Sequence, residues 1–356
     1  KEARFLFRTL VLGLKNIVLG IASMSPPPAV QQQQAQQQGQ MQGQMQGQMP
    51  GQQMQGQMQG QMQGQIQGGF VSGGGVDVDL YIRMLRDGLY CFDIYLVNKD
   101  DSGKREGEKD ALDGFAAVFT VVDPAMFQDI FNSQMQFIFQ RIIDNQLILT
   151  IIQHFLANPG VTRTFAEMLL RFLVDRLDTL GEPEKTTSVM LRLFKLVFGS
   201  VALFADVAGN SNEPVLQPHL GTIIRTSLRM AAKVREPLNY FMLLRALFRS
   251  IGGHKFELLY KEFLPLLPVL LESLNRLLTT THKPQMRELF VELCLTVPVR
   301  LSALLPFLHY LMRPLVLALQ AGPDLVSQGL RTLELCIDNL TPSFLDPIIS
   351  PVIHDL

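Results

Sequence analysis

Cysteine is scarce in this chain, with three residues among 356, at positions 91, 294 and 336. So few thiols, so widely spaced, exclude a disulfide-stapled scaffold and suit a reducing compartment. An excess of one charge is also missing. The 31 basic residues are matched by 32 acidic ones, where a generic nucleic-acid binder would show a clear basic surplus. Catalytic signatures are absent as well. There is no Gly-x-x-x-x-Gly-Lys-Ser/Thr phosphate loop, no Gly-x-Ser-x-Gly elbow, and no kinase catalytic-loop or magnesium-binding motif. His154, His219, His254, His282, His309 and His354 are scattered. None lies in a His-Glu-x-x-His helix or beside a paired cysteine, so neither a metal nor a cofactor is indicated. The expectation is a chain that is not an enzyme.

Charge is missing altogether from Asn16 to Val76. The core of that stretch is a Gln-Gly-Gln-Met tetrapeptide repeated with small errors. Glycine at every fourth position costs roughly 1 kcal/mol each against helix. One methionine per repeat buries too little surface to offset the ordering entropy of its neighbours. A disordered insert is therefore expected from Ser23 to Gly75. It reads either as a Gln-rich self-associating segment of the sort found in transcription factors or as a slipped-repeat expansion tolerated in a loop. The second is favoured, because loops absorb length at small entropic cost.

Elsewhere the apolar residues recur at helical spacing. Phe7, Val11, Leu14, Val18 and Ile21 share one face. The same spacing links Val78, Ile82, Leu85, Leu89 and Phe92; Met190, Phe194, Val197, Val201 and Phe204; and Val326, Leu330, Leu333, Ile337 and Leu340. The first of these runs starts basic and ends in small residues, like a signal peptide. Lys15 and Asn16 interrupt it, no methionine begins it, and it is too short and too charged to span a bilayer. Further helices are expected at 115–122, 124–143, 145–157 and 162–180. Prolines after Asp123, Glu182, Glu213, Glu236 and Lys283 mark helix starts. A charged exposed loop is expected at Asn98 to Asp110, and the Gly252-Gly253-His254 turn reads as a left-handed helix end. No sustained period-two alternation occurs, so no sheet is assigned.

From about residue 214 the helices become periodic. Pro218, Pro265, Pro306 and Pro347 each sit inside an apolar helix, at separations of 47, 41 and 41 residues. A second helix follows each of the first three, and VELC ending at Cys294 matches LELC ending at Cys336, 42 residues later. Helix pairs at ~40–47 residues are the spacing of HEAT and armadillo repeats. Proline inside a first helix is expected to kink it. Both matched cysteines read as small core residues. The expected fold is thus all-α, a HEAT-type helical-repeat solenoid with a disordered Gln/Gly/Met-rich insert. Its divisions are a solenoid helix over 1–22, the insert over 23–75, irregular helical repeats over 76–213, and HEAT-like repeats over 214–356. The last repeat is expected to be truncated, leaving Ile348, Ile349 and Val352 uncovered.

One surface feature is a candidate binding site. Arg225, Arg229 and Lys233 fall at i, i+4 and i+8 on a helix expected over 221–234, with Arg245 and Arg249 on the next helix. Most such stripes are solvated faces; the functional reading is a docking strip for an acidic partner segment.

The strings PLNYFMLLRALFRSIGGHKFELLYKEFLPLLP, MRELFVELCLTVPVRLSALLPFLHYLMRPLVLAL and DLVSQGLRTLELCIDNLTPSFLDP resemble the transformation/transcription domain-associated protein (TRRAP) family. These are very large pseudokinases of the phosphatidylinositol-3-kinase-related group. The likeness continues through LRLFKLVFGSVA and FAEMLLRFLVDRLDTL to about Asp77, and FLFRTLVLGLKNIV fits an upstream helix. The Gln-Gly-Gln-Met insert and the run Pro26 to Pro28 depart from the family pattern. The resemblance implies a fragment of the HEAT superhelix, remote from an inactive kinase-like domain. It implies a non-catalytic scaffold in nuclear histone acetyltransferase complexes of the SAGA and NuA types, with acidic activation domains and complex subunits as partners. It implies no sequence-specific nucleic-acid, membrane or small-molecule partner. The alternatives are a HEAT-repeat transport or trafficking adaptor, whose inner surface should be strongly acidic, and the non-catalytic part of an active related kinase.

Overall fold

The structure, a computed structural model, describes residues 2–24, 78–96, 105–181, 184–205, 211–252, 256–298, 300–351 and 353–354. The stretch 25–75, most of the expected insert, lies outside the described residues. Those described form helices, 3-10 turns and connecting turns, and no strand occurs among them. Two compact units are present, residues 1–126 and 127–356.

The first unit holds α1 (Glu2–Met24), α2 (Val78–Leu96) and α3 (Arg105–Phe119), with α1 packed on both others. Aromatic edges knit its core. Phe92 meets Phe7 at 5.0 Å and Phe115 at 5.3 Å between ring centroids, both edge-on. Gly88 makes this closeness possible, since a Cβ there would stand 2.4 Å from the Phe115 ring. On α1 the expected face supplies buried Val11, while Phe5, Leu6, Leu10 and Ile17 are exposed. Of the loop expected over 98–110, residues 98–104 lie outside the described residues and 105–110 are helical. The helix simply extends outward from its apolar half, whose Phe115, Val118 and Phe119 are buried, and carries its charges in its first turns.

The second unit is a two-layered stack. Its helices are α4 (Pro124–Asp144), which starts three residues before the unit boundary, α5 (Leu149–Ala157), α6 (Thr162–Val174), α7 (Glu184–Leu203), α8 (Glu213–Ala231) and α9 (Leu238–Ile251). They continue with α10 (Glu257–Phe263), α11 (Leu267–Thr280), α12 (Pro284–Leu295), α13 (Leu301–Leu304), α14 (Leu308–Leu319), α15 (Pro323–Asn339) and α16 (Pro342–Ile349). Along one layer α6 packs on α8, α8 on α10, α11 on α14 and α14 on α16. Along the other, α5 packs on α7, α7 on α9, α9 on α12 and α12 on α15. Most helices therefore meet a sequence neighbour across the layers and a repeat equivalent within a layer, the arrangement of a HEAT solenoid.

Chain chemistry sets the element ends. Asp123 caps α4, its Oδ2 accepting from the Ala125 N–H at 3.0 Å. Phe127, Phe131, Phe155 and Phe165 then form one edge-to-face cluster that closes α4 on α5 and α6. The stretch Lys185–Leu203 is long and apolar enough to cross a membrane, as is Ser302–Leu319. In the stack α7 spends its apolar surface on four neighbouring helices, with Met190, Phe194, Val197 and Val201 buried and Phe204 buried just past its end.

The prolines behave in two ways. Pro265 and Pro306 lie in 3-10 turns, Leu264–Leu266 and Leu305–Phe307, which divide the first helix of each repeat into α10/α11 and α13/α14. Proline lacks the N–H that an α-turn needs, and the tighter turn absorbs the break. Pro218 and Pro347 instead sit within continuous helices. Two turn expectations change. The 162–180 helix ends at Val174 and resumes as a 3-10 turn at Leu177–Thr179. The helix does end at Gly252, which is extended, with φ −66° and ψ 133°, rather than left-handed; Gly253 and His254 lie outside the described residues. Glycine is suited there because a Cβ would stand 2.8 Å from the Phe248 carbonyl oxygen.

The last pair differs from expectation as well. On α15 the apolar face read from the sequence leaves Leu330 and Ile337 52% and 56% exposed, while Gly329 and Cys336 are buried. Periodicity locates an apolar stripe; whether a neighbour covers it depends on packing. Ile348 and Ile349 are partly covered, and Val352 lies outside the described residues.

Candidate interaction surfaces

The basic strip is divided by the structure. Arg225 and Arg229 are exposed on α8, four residues apart. Arg225 folds back over Gly221, one of its guanidinium nitrogens 2.7 Å from where a Cβ would stand. Arg229 reaches Asp178 at 3.4 Å, with both side chains largely in water, so the pair contributes little to stability. Lys233 is exposed in the turn beyond the helix, because α8 ends at Ala231 rather than at 234. The strip is thus two helical arginines followed by a lysine off the helical register.

Arg245 and Arg249 do not extend it. Both turn to a carboxylate of the next repeat in their own layer, Glu292 on α12. Arg245 Nε donates to Glu292 Oε1 at 2.8 Å, and Arg249 Nε donates to the same oxygen at 2.7 Å, with its Nη2 in ion-pair contact at 2.6 Å. Glu292 is buried while Arg249 is mostly exposed. A carboxylate taken out of water needs charge-assisted hydrogen bonds, and these two guanidiniums supply them across the repeat junction. Sequence spacing set Arg245 and Arg249 on one face but carried no signal for their partner, some 43–47 residues away.

Other contacts between repeats follow the same pattern. The Glu213 carboxylate accepts the N–H groups of Leu258 and Leu259 at 2.6 and 3.0 Å, closing the first turn of α10. Tyr240 donates to the Asp178 carbonyl at 3.1 Å. Asn212, fully buried, donates to Thr162 Oγ1 at 3.0 Å. Arg300 pairs with Glu257 and lies over the Tyr260 ring, 4.9 Å from its centroid.

The titratable groups have structural explanations. Burial raises the Cys294 thiol to about 12 and also raises Cys336, so both matched cysteines are small core residues. His219 is pushed down by burial and by Arg171, against the opposing pull of Asp175 and Glu167. Among the described residues no group of three or more His, Cys, Asp or Glu side chains is placed to hold a metal ion.

The comparisons give the chain its place. The family of Tra1 HEAT repeat central regions matches residues 1–356. The human transformation/transcription domain-associated protein is 42% identical over the whole chain, which covers 8% of that protein. Transcription-associated protein 1 of Drosophila melanogaster is 49% identical over 76% of the chain and 7% of its own length. The SAGA complex/NuA4 acetyltransferase complex subunit TRA1 of Saccharomyces cerevisiae is 48% identical over 74% of the chain and 7% of its own length. The chain therefore spans less than a tenth of these relatives, and the part it matches is a HEAT-repeat region, not a kinase domain. Two-layered helix pairs at HEAT spacing and a family match along every residue agree: this chain belongs to the Tra1 family, in its central HEAT-repeat region.

Proposed function

We propose that this chain is a non-catalytic scaffold segment of a nuclear transcriptional coactivator, a subunit of histone acetyltransferase complexes of the SAGA and NuA4 type. The observation that carries the reading is the 42% identity along the full chain to the human relative, joined to a stack whose polar contacts bind repeat to repeat. Its partners are proteins: complex subunits, and acidic activation segments of transcription factors. In this reading the kinase-like part of the full-length protein is inactive, and the HEAT region presents surfaces.

The test is affinity purification of the full-length protein from nuclear extract. Co-purification of acetyltransferase subunits and histone acetylation by the eluate are expected. An eluate of transport cargo without acetyltransferase overturns the reading, and intact magnesium-binding and catalytic-loop motifs elsewhere in the reading frame overturn the inactive-kinase part.

Within this reading Arg225, Arg229 and Lys233 form one contact strip for an acidic segment. Replacing all three by glutamate should cut recovery of an acidic activation peptide about 10-fold at low salt. Unchanged recovery removes the strip and leaves the scaffold reading standing.

A further inference from the structure

Helix α16 is short and thinly held. Pro342 starts it, Pro347 removes one of its N–H donors and Pro351 follows it, while Leu345 is its one buried residue. Ser350 closes the last turn through Asp346. The Ser350 N–H donates to the Asp346 carbonyl at 2.9 Å, and Ser350 Oγ donates to Asp346 Oδ1 at 3.1 Å. Both residues are exposed, as is Pro351, so a Ser-Pro pair stands in water where the helix ends. This position faces outward elsewhere in the array too. The third residue after Pro265, Pro306 and Pro347 is Pro268, His309 and Ser350. Pro268 and His309 are exposed, although a later helix packs on each of their helices within the layer.

We propose that Ser350 is a phosphorylation site for a proline-directed protein kinase acting in trans, and that its phosphate opens the last turn of α16. Such kinases read Ser or Thr followed by Pro, bound as an extended strand. Ser350 is helical, at φ −48° and ψ −40°, but a residue before proline favours the extended shape. With so little of α16 buried, its last turn unwinds at small cost to enter a kinase. In the transfer, the γ-phosphoryl group of ATP moves to Ser350 Oγ. The new O–P bond forms, the bond to ADP breaks, and the hydroxyl proton passes to solvent. The product has no hydroxyl hydrogen left to give Asp346. It faces that carboxylate with a charge of about −1.5 to −2 instead, beside the negative end of the helix. Both effects act against the turn. Thr341-Pro342, the matching pair at the other end of α16, places a phosphate at the positive end, where the sign reverses.

The test uses the full-length protein carrying Thr341→Ala, so that only one end of α16 is modified. Thr341 is exposed and its side chain does not cap the helix, so the change is mild. Incubation with a cyclin-dependent kinase and ATP, read by site-resolved mass spectrometry, should place phosphate on Ser350. Pro351→Ala should cut that phosphate at least about 10-fold, since it removes the residue the kinase reads. Hydrogen–deuterium exchange over residues 342–350 should become about 3-fold faster on phosphorylation, while exchange in α12 stays as it was. Asp346→Asn, which removes the facing carboxylate, should shrink that acceleration. A full-length protein that takes no phosphate at Ser350, while a synthetic peptide of residues 342–356 does, overturns the site, because the fold then hides it. Absence of phosphate from both protein and peptide overturns it as well. Phosphate that survives Pro351→Ala overturns the proline-directed assignment. Phosphate at Ser350 with unchanged exchange overturns the opening of the turn.

Discussion

Helices α12 and α15 carry nearly the same four residues, Val291 to Cys294 and Leu333 to Cys336, 42 positions apart, yet the structure treats them differently. Leu293 is 0% exposed and its counterpart Leu335 is 48% exposed. Glu292 is buried under two arginines, whereas Glu334 stands in solvent. Only the cysteines agree, at 2% and 1% exposure. The difference lies in the neighbours. Within its layer α12 is flanked by α9 and α15, while α15 packs on α12 and on no later second helix among the described residues. In a solenoid the local sequence provides an apolar stripe, and the adjoining repeat decides how much of it is buried.

That contrast can be broken first at the leucines. Leu293→Ala removes a fully buried side chain, and a cost of about 2–5 kcal/mol is expected. Leu335→Ala should cost less than about 1 kcal/mol, since half of the side chain already meets water. Denaturant titration followed by far-ultraviolet circular dichroism separates the two. Equal losses would mean that α15 acquires a partner in solution that is missing among the described residues.

The glutamates should give a smaller gap of the same sign. Glu292→Gln leaves Arg245 and Arg249 with a neutral acceptor, and about 1–3 kcal/mol is expected, below the range for fully buried pairs because both arginines keep access to water. Glu334→Gln should stay within about 0.5 kcal/mol of the parent. A double-mutant cycle of Glu292→Gln with Arg249→Gln should show coupling. An additive result would assign the effect to desolvation of Glu292 alone.

The helices were legible because their apolar residues repeat at helical spacing: the face from Met190 to Phe204 is buried at every position named for it. The repeat was legible too, through its prolines and the VELC/LELC match. The face of α15 was not, because the sequence does not say which stripe has a neighbour. The helix end at Gly252 was legible but its conformation was not, since a glycine can mark a left-handed turn or a close carbonyl, and only packing separates the two. Of the candidate surfaces, the exposed Arg225 and Arg229 could be read from an i, i+4 pattern. The Glu292 clamp could not, because it is made by residues on different helices of successive repeats.

The cysteines supply the finest test, because here the two helices agree in exposure. Alkylation requires the thiolate, and burial raises Cys294 to about 12 while raising Cys336 as well. Cys91 is raised by burial and by the neighbouring Asp87, but it is more accessible than either. A raised thiol releases its proton later as pH increases, so near neutral pH all three should react slowly, with Cys91 first. Raising the pH should accelerate Cys91 and Cys336 before Cys294, since thiolate population tracks the thiol's own pKa. Iodoacetamide labelling read by mass spectrometry gives the order site by site, and denaturant should erase it. If Cys336 stays as inert as Cys294 in the native protein, the half-covered α15 holds its thiol as firmly as a fully flanked helix does. The burial contrast between the two helices would then stop at Leu335 and Glu334.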